Sequence, residues 1–84
     1  MRRIKIYTTP ICPYCVRAKA LLKKKGASFE EIDVLTDRGA REEMEQKSGR
    51  RSVPQIFIGE VHVGGNDDLQ ALDREGALDP LLNK

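Results

Sequence analysis

The chain has two cysteines, and both lie in Cys12-Pro13-Tyr14-Cys15. This stretch limits the possible folds more than any other. A short apolar run, Ile4-Lys5-Ile6-Tyr7-Thr8, precedes it, and a segment with helical spacing of apolar residues follows. A strand that leads into a Cys-x-x-Cys at a helix start is a redox-motif arrangement. The spacing has a chemical reason. A disulfide needs its Cα atoms roughly 4.4–6.8 Å apart, and the first helical turn brings residues i and i+3 onto one face. Pro13 suits the first helical position, where its missing N–H costs nothing and its φ is preset. Cys12 then falls at the N-cap, where unpaired backbone N–H groups point at its sulfur and favour the thiolate. Cys15 lies one turn further in and is expected to be less exposed. Cys12 is therefore the expected attacking sulfur and Cys15 the resolving one.

Other uses of a cysteine pair fit less well. A structural zinc site wants four ligands, and beyond the two cysteines the chain offers one histidine, His62, far along the sequence. No metal site is expected. A structural disulfide across so short a loop would remove little chain entropy. Two inert buried cysteines remain an alternative on spacing alone.

Composition sets the setting for this chemistry. The 84 residues are 39% hydrophobic and 33% charged, which suits a single small domain spanning residues 1–84. No apolar run is long enough to span a membrane. Met1-Arg2-Arg3 resembles the start of a signal peptide, but Lys5, Thr8, Thr9 and Pro10 interrupt any apolar region after it. A cytoplasmic protein is expected, where thiols are kept reduced and a Cys pair is more often catalytic than structural. The net charge is +2, aromatics are 5% and Trp is absent. Nucleic-acid binding is not expected, since it needs a clustered basic patch with stacking platforms. The run Lys23-Lys24-Lys25 suits the end of a helix, where cations complement the dipole.

Taken in order, residues 3–8 read as a buried strand with Ile4 and Ile6 on one face. Residues 13–25 read as a helix with Cys15, Ala18, Leu21 and Leu22 inward, ended by Gly26. Residues 29–34 read as a second strand. Thr36-Asp37 can cap a helix over residues 38–48, thinly apolar at Ala40 and Met44 and ended by Gly49. Gln55-Ile56-Phe57-Ile58 reads as a central strand that turns at Gly59-Glu60 into Val61-His62-Val63. Gly64-Gly65 breaks the sheet. Asn66 is the expected N-cap of a last main helix, with Asp67 and Asp68 in its first turn, Leu69 and Leu72 inward and Gly76 as its stop. Asp79-Pro80-Leu81-Leu82 can form a final turn. His62 has no partner nearby in sequence and reads as a surface residue. A helical crossover makes the first two strands parallel and right-handed, and the last two form a hairpin. The expected class is α/β, a four-stranded mixed sheet flanked by helices.

Four local patterns stand together in this order: Cys12-Pro13-Tyr14-Cys15 after a strand, Ser52-Val53-Pro54-Gln55-Ile56-Phe57-Ile58, Gly64-Gly65, and Asn66-Asp67-Asp68 opening a helix. Over essentially its whole length the chain resembles a glutaredoxin of the short bacterial dithiol type. The resemblance implies a thioredoxin fold. It also implies a glutathione-dependent thiol–disulfide oxidoreductase acting on protein disulfides and protein–glutathione mixed disulfides. No bound cofactor is implied, with glutathione as reducing co-substrate, client proteins as partners, and a monomer.

The same resemblance implies roles for individual residues. Cys12 and Cys15 are the catalytic pair. Pro54 matches the family's cis-proline, and the Val53 backbone would pair with the cysteinyl part of glutathione as an added strand does. Gly65, Asn66 and Asp67, with Asp68 beside them, match the segment that holds the γ-glutamyl end. There a helix N-terminus suits a carboxylate and an Asp suits an ammonium. Tyr14 would flank the substrate, and Arg41 would face the glycyl carboxylate. The chain departs from the family at Thr9, where a lysine is frequent, and at Asn66, where many relatives carry a third cysteine. A same-class rival is a donor recharged by thioredoxin reductase, which would not need Gly64-Gly65 and Asn66-Asp67-Asp68. An iron–sulfur cluster carrier is a second rival, disfavoured by the stiff Pro13.

Overall fold

The computed structural model describes residues 2–83. Its elements run β1 (Ile4–Thr8), α1 (Pro13–Lys24), β2 (Glu30–Asp33), α2 (Arg38–Ser48), β3 (Gln55–Ile58), β4 (Val61–Gly64), α3 (Asn66–Arg74) and α4 (Leu78–Leu82). The strands form one sheet in the order β2-β1-β3-β4. β1 and β2 are parallel, and β1–β3 and β3–β4 are antiparallel. This is the mixed α/β sheet that the helical crossover and the hairpin imply, and it is a thioredoxin fold. The second strand is shorter than expected: Phe29 and Val34 flank it and pack into the two separate apolar clusters, although the Val34 N–H still donates to the Thr8 carbonyl at 2.9 Å.

Strand alternation gives the sheet two different faces. Ile4, Ile6, Ile56 and Ile58 point to one side and pack against Ala18, Leu21 and Leu22 of α1 and against Leu69, Leu78 and Leu82. Each such buried isoleucine contributes about 1.5–3 kcal/mol. Tyr7 and Phe57 point to the other side, where Ala40 and Met44 of α2 cover them together with Val34. The thin apolar face of α2 is therefore enough, since it covers only part of the sheet.

The helix ends follow their capping residues. Asp37 caps α2 by accepting from the Ala40 N–H at 3.0 Å. Gly49 closes the same helix in the left-handed region, at φ 71°. The start of α3 differs from expectation. Gly65 is its N-cap, and Asn66 is the first helical residue, buried, with its Oδ1 accepting from Gln70 Nε2 at 3.2 Å. The Gly65 N–H is satisfied by Asp68 Oδ2 at 2.9 Å. Asp68 reaches back from one turn inside the helix, so no side chain is needed at the cap itself.

Candidate active site

β1 ends at Thr8, and the loop through Pro10 delivers Cys12 to the N-cap of α1 with Pro13 in its first turn. Cys12 is partly exposed, Cys15 is buried, and both are free thiols. Cys12 Sγ accepts the Cys15 backbone N–H at 3.1 Å, which is the contact expected of a sulfur at a helix N-terminus. Burial raises the pKa of Cys15, and the neighbouring Cys12 sulfur raises it further. The pair is thus asymmetric, with one sulfur at the surface and the other held as a buried thiol.

The Val53–Pro54 peptide is cis. It brings the Val53 carbonyl to the rim of the thiol site, 3.8 Å from Cys12 Sγ. Beside it opens a cavity of about 220 Å³. It is lined by Tyr14, by Ser52, Val53 and Pro54, and by Gly65 with Asn66, Asp67 and Asp68. Apart from Ser52, these are residues singled out by sequence, brought together from three separate segments.

Arg41 does not line this cavity. Its basic residue is Arg50, whose Nη1 lies 3.3 Å from Asp68 Oδ2 across the opening. The Gly65 N–H first, and then Arg50, hold the Asp68 carboxyl below the usual carboxylate range. The Arg17 guanidinium lies 5.7 Å from the Tyr14 ring centroid, so the exposed tyrosine is backed by a cation. Arg50 and Ser52 were not legible as site residues, because a basic loop before a proline reads as plain surface. His62 is not the free surface residue expected. Its ring stacks on Phe57 at 4.8 Å, and its Nε2 meets the buried Gln55 Oε1 at 2.8 Å. Burial lowers its pKa, as does Arg50.

Comparison with known proteins agrees with this geometry. The family model described as Glutaredoxin matches residues 4–63. Glutaredoxin 3 of Escherichia coli strain K12 is 57% identical over 82 residues, covering 98% of this chain and 99% of that protein. A glutaredoxin of Pseudomonas aeruginosa is 54% identical over 83 residues, covering 99% of each. Among solved structures, the glutaredoxin from Brucella melitensis superposes with a TM-score of 0.86 at 61% identity, covering 98% of this chain and 89% of that one. The buckwheat glutaredoxin–glutathione complex superposes at 0.88 with 31% identity, covering 95% and 76%. In sequence and in fold, then, the chain belongs to the glutaredoxin family, the glutathione-dependent thiol oxidoreductases.

Proposed function

We propose that the chain, acting as a single monomeric domain in the cytoplasm, reduces protein disulfides and protein–glutathione mixed disulfides through Cys12 and Cys15. The asymmetry of the pair carries this reading. Cys12 is partly exposed at a helix N-terminus, while Cys15 is buried and its pKa is raised. For a glutathionylated client, the Cys12 thiolate attacks the glutathione sulfur. A Cys12–glutathione disulfide forms, the client–glutathione bond breaks, and the client leaves as a thiolate that takes up a proton. A second glutathione thiolate then attacks the bound glutathione sulfur, releasing oxidised glutathione and restoring Cys12. For a client disulfide, Cys12 forms the mixed disulfide and Cys15 attacks Cys12 in turn. The proton of Cys15 goes to the departing client sulfur. Two glutathiones reduce the Cys12–Cys15 disulfide.

Glutathione itself suits the neighbouring cavity. The buckwheat protein was solved as a glutathione complex, and the walls here offer the same kinds of group that the tripeptide needs. The Val53 backbone provides strand-like pairing for the cysteinyl unit. The start of α3 provides N–H groups for the γ-glutamyl carboxylate, and Asp67 provides a counter-charge for its ammonium. For the glycyl carboxylate, Arg50 in the cavity is better placed than Arg41. Among the described residues no helix is long and apolar enough to cross a membrane, which is compatible with the cytoplasmic reading.

The test separates the two sulfurs. Cys12→Ser should abolish turnover of every substrate in a glutathione-coupled assay. Cys15→Ser should keep deglutathionylation and lose most reduction of protein disulfides, because only the second reaction needs an internal resolving thiol. Equal loss of both reactions in Cys15→Ser would reverse the assignment.

A further inference from the structure

The Ser52–Pro54 loop has a support that the chemistry described so far does not use. Gln55 is wholly buried, yet its side chain is an amide. A buried amide must place its donors and its acceptor. Gln55 Nε2 donates to the Ser52 carbonyl at 3.0 Å and to Ser52 Oγ at 3.3 Å. A carbonyl can only accept, so this contact fixes which end of the amide faces the loop. Oε1 therefore faces the other way, toward His62 Nε2 at 2.8 Å. Since Oε1 can only accept, His62 carries its proton on Nε2.

The ring of His62 is held for that donation. In the hairpin, His62 lies opposite Phe57, and the register shifts between Ile56 and Phe57, which pairs Ile56 with Gly64. The imidazole lies on the Phe57 ring at 4.8 Å with 26° between planes. Gln55 lies two residues along the same strand face, within diagonal reach. The chain of contacts runs from His62 through Gln55 to the Ser52 carbonyl, and the next carbonyl along is that of Val53, 3.8 Å from Cys12 Sγ.

We propose that His62 is a positioning residue: through Gln55 it fixes the backbone of Ser52 and Val53 against which the thiol substrate pairs. This rests on the proposed pairing of glutathione with Val53. His62 touches neither cysteine and takes no proton from the reaction. It donates to Oε1 so that the amide keeps its own donors on the loop. Without a donor at position 62, the buried Oε1 gains by rotating toward any other N–H, and the loop loses its anchor.

Three variants and one spectrum test this. His62→Phe keeps a ring for stacking on Phe57 and removes the donor. His62→Gln removes the ring and keeps an amide N–H the same number of bonds from Cβ. Gln55→Glu keeps an acceptor for His62 but sets a carboxylate against the Ser52 carbonyl. His62→Phe and Gln55→Glu should each raise KM for a glutathionylated peptide roughly three- to tenfold with kcat little changed, the effect of one lost hydrogen bond. His62→Gln should stay near wild type. A wild-type KM in His62→Phe, or equal defects in His62→Phe and His62→Gln, would overturn the proposal. Nitrogen NMR of the wild-type protein gives a reading that does not depend on any variant folding. It should show Nε2 protonated and Nδ1 bare in the neutral ring, and the opposite tautomer would overturn the proposal. If wild type fails to turn over with glutathione, the function itself falls and this inference with it. If wild type turns over and His62→Phe matches it, only the inference falls.

Discussion

Gly64 and Gly65 are adjacent in the chain, but the structure needs them for different reasons. Gly64 has φ 114°, and a Cβ there would run into the Asp68 carboxylate. Gly65 has φ −90°, and a Cβ there would meet only the Pro54 carbonyl oxygen, at an ordinary 3.5 Å. Gly64→Ala should therefore lower stability by more than about 1 kcal/mol, seen as a lower denaturant midpoint at unchanged slope. Gly65→Ala should keep the wild-type midpoint yet add a methyl to the cavity wall and raise KM for glutathione. A wild-type midpoint in Gly64→Ala would mean that the backbone relaxes away from Asp68. The sequence marks both glycines as the end of the sheet. It does not say which is obligatory, because that depends on where Asp68 lies one helical turn later.

At the level of elements, the sequence was most legible where spacing carries the signal. The parallel crossover through α1, the β3–β4 hairpin and the Asp37 cap of α2 follow from periodicity and punctuation. The start of α3 was misread by one residue, because Asn66 is a better N-cap by type than glycine. The helix instead borrows its cap from Asp68, whose Oδ2 accepts the Gly65 N–H at 2.9 Å. Asp68→Ala should cost about 0.5–2 kcal/mol, toward the low end because the carboxylate is half exposed and its Arg50 pair is screened. The folded state holds the Asp68 pKa below its ordinary value of 3.8, mainly through the Gly65 N–H. The carboxylate contribution is therefore complete above that value and is lost as pH falls through the lower folded pKa. The stability gap between wild type and Asp68→Ala should close over that acidic range. A gap of constant size would assign the effect to packing and not to the charge.

Across the whole molecule, the two faces of the sheet are finished differently, and sequence spacing shows only one of them well. Four isoleucines announce the face under α1 and α3. The opposite face is closed by a file of rings, with Tyr7 edge-on to Phe57 at 5.8 Å and Phe57 stacked on His62 at 4.8 Å. Tyr7 is wholly buried, and its hydroxyl has no hydrogen-bond partner among the described residues. The Glu43 carboxylate acts on it as a neighbouring negative charge. Burial first, and then Glu43, push the phenol pKa up to about 12. Removing a hydroxyl that makes no bond should be harmless, so Tyr7→Phe should match wild type at neutral pH or exceed it by up to about 1 kcal/mol. The raised pKa gives a second signature. Between 10.0 and about 12 the folded phenol keeps a proton that the unfolded chain releases. Stability tied to the neutral phenol is therefore full below that range and falls as pH rises through it. Wild type should lose thermal stability faster than Tyr7→Phe across those alkaline conditions. Parallel losses in the two proteins would show that the phenol ionises as freely in the fold as in the unfolded chain, and that the ring-lined face is more open to water than its packing implies.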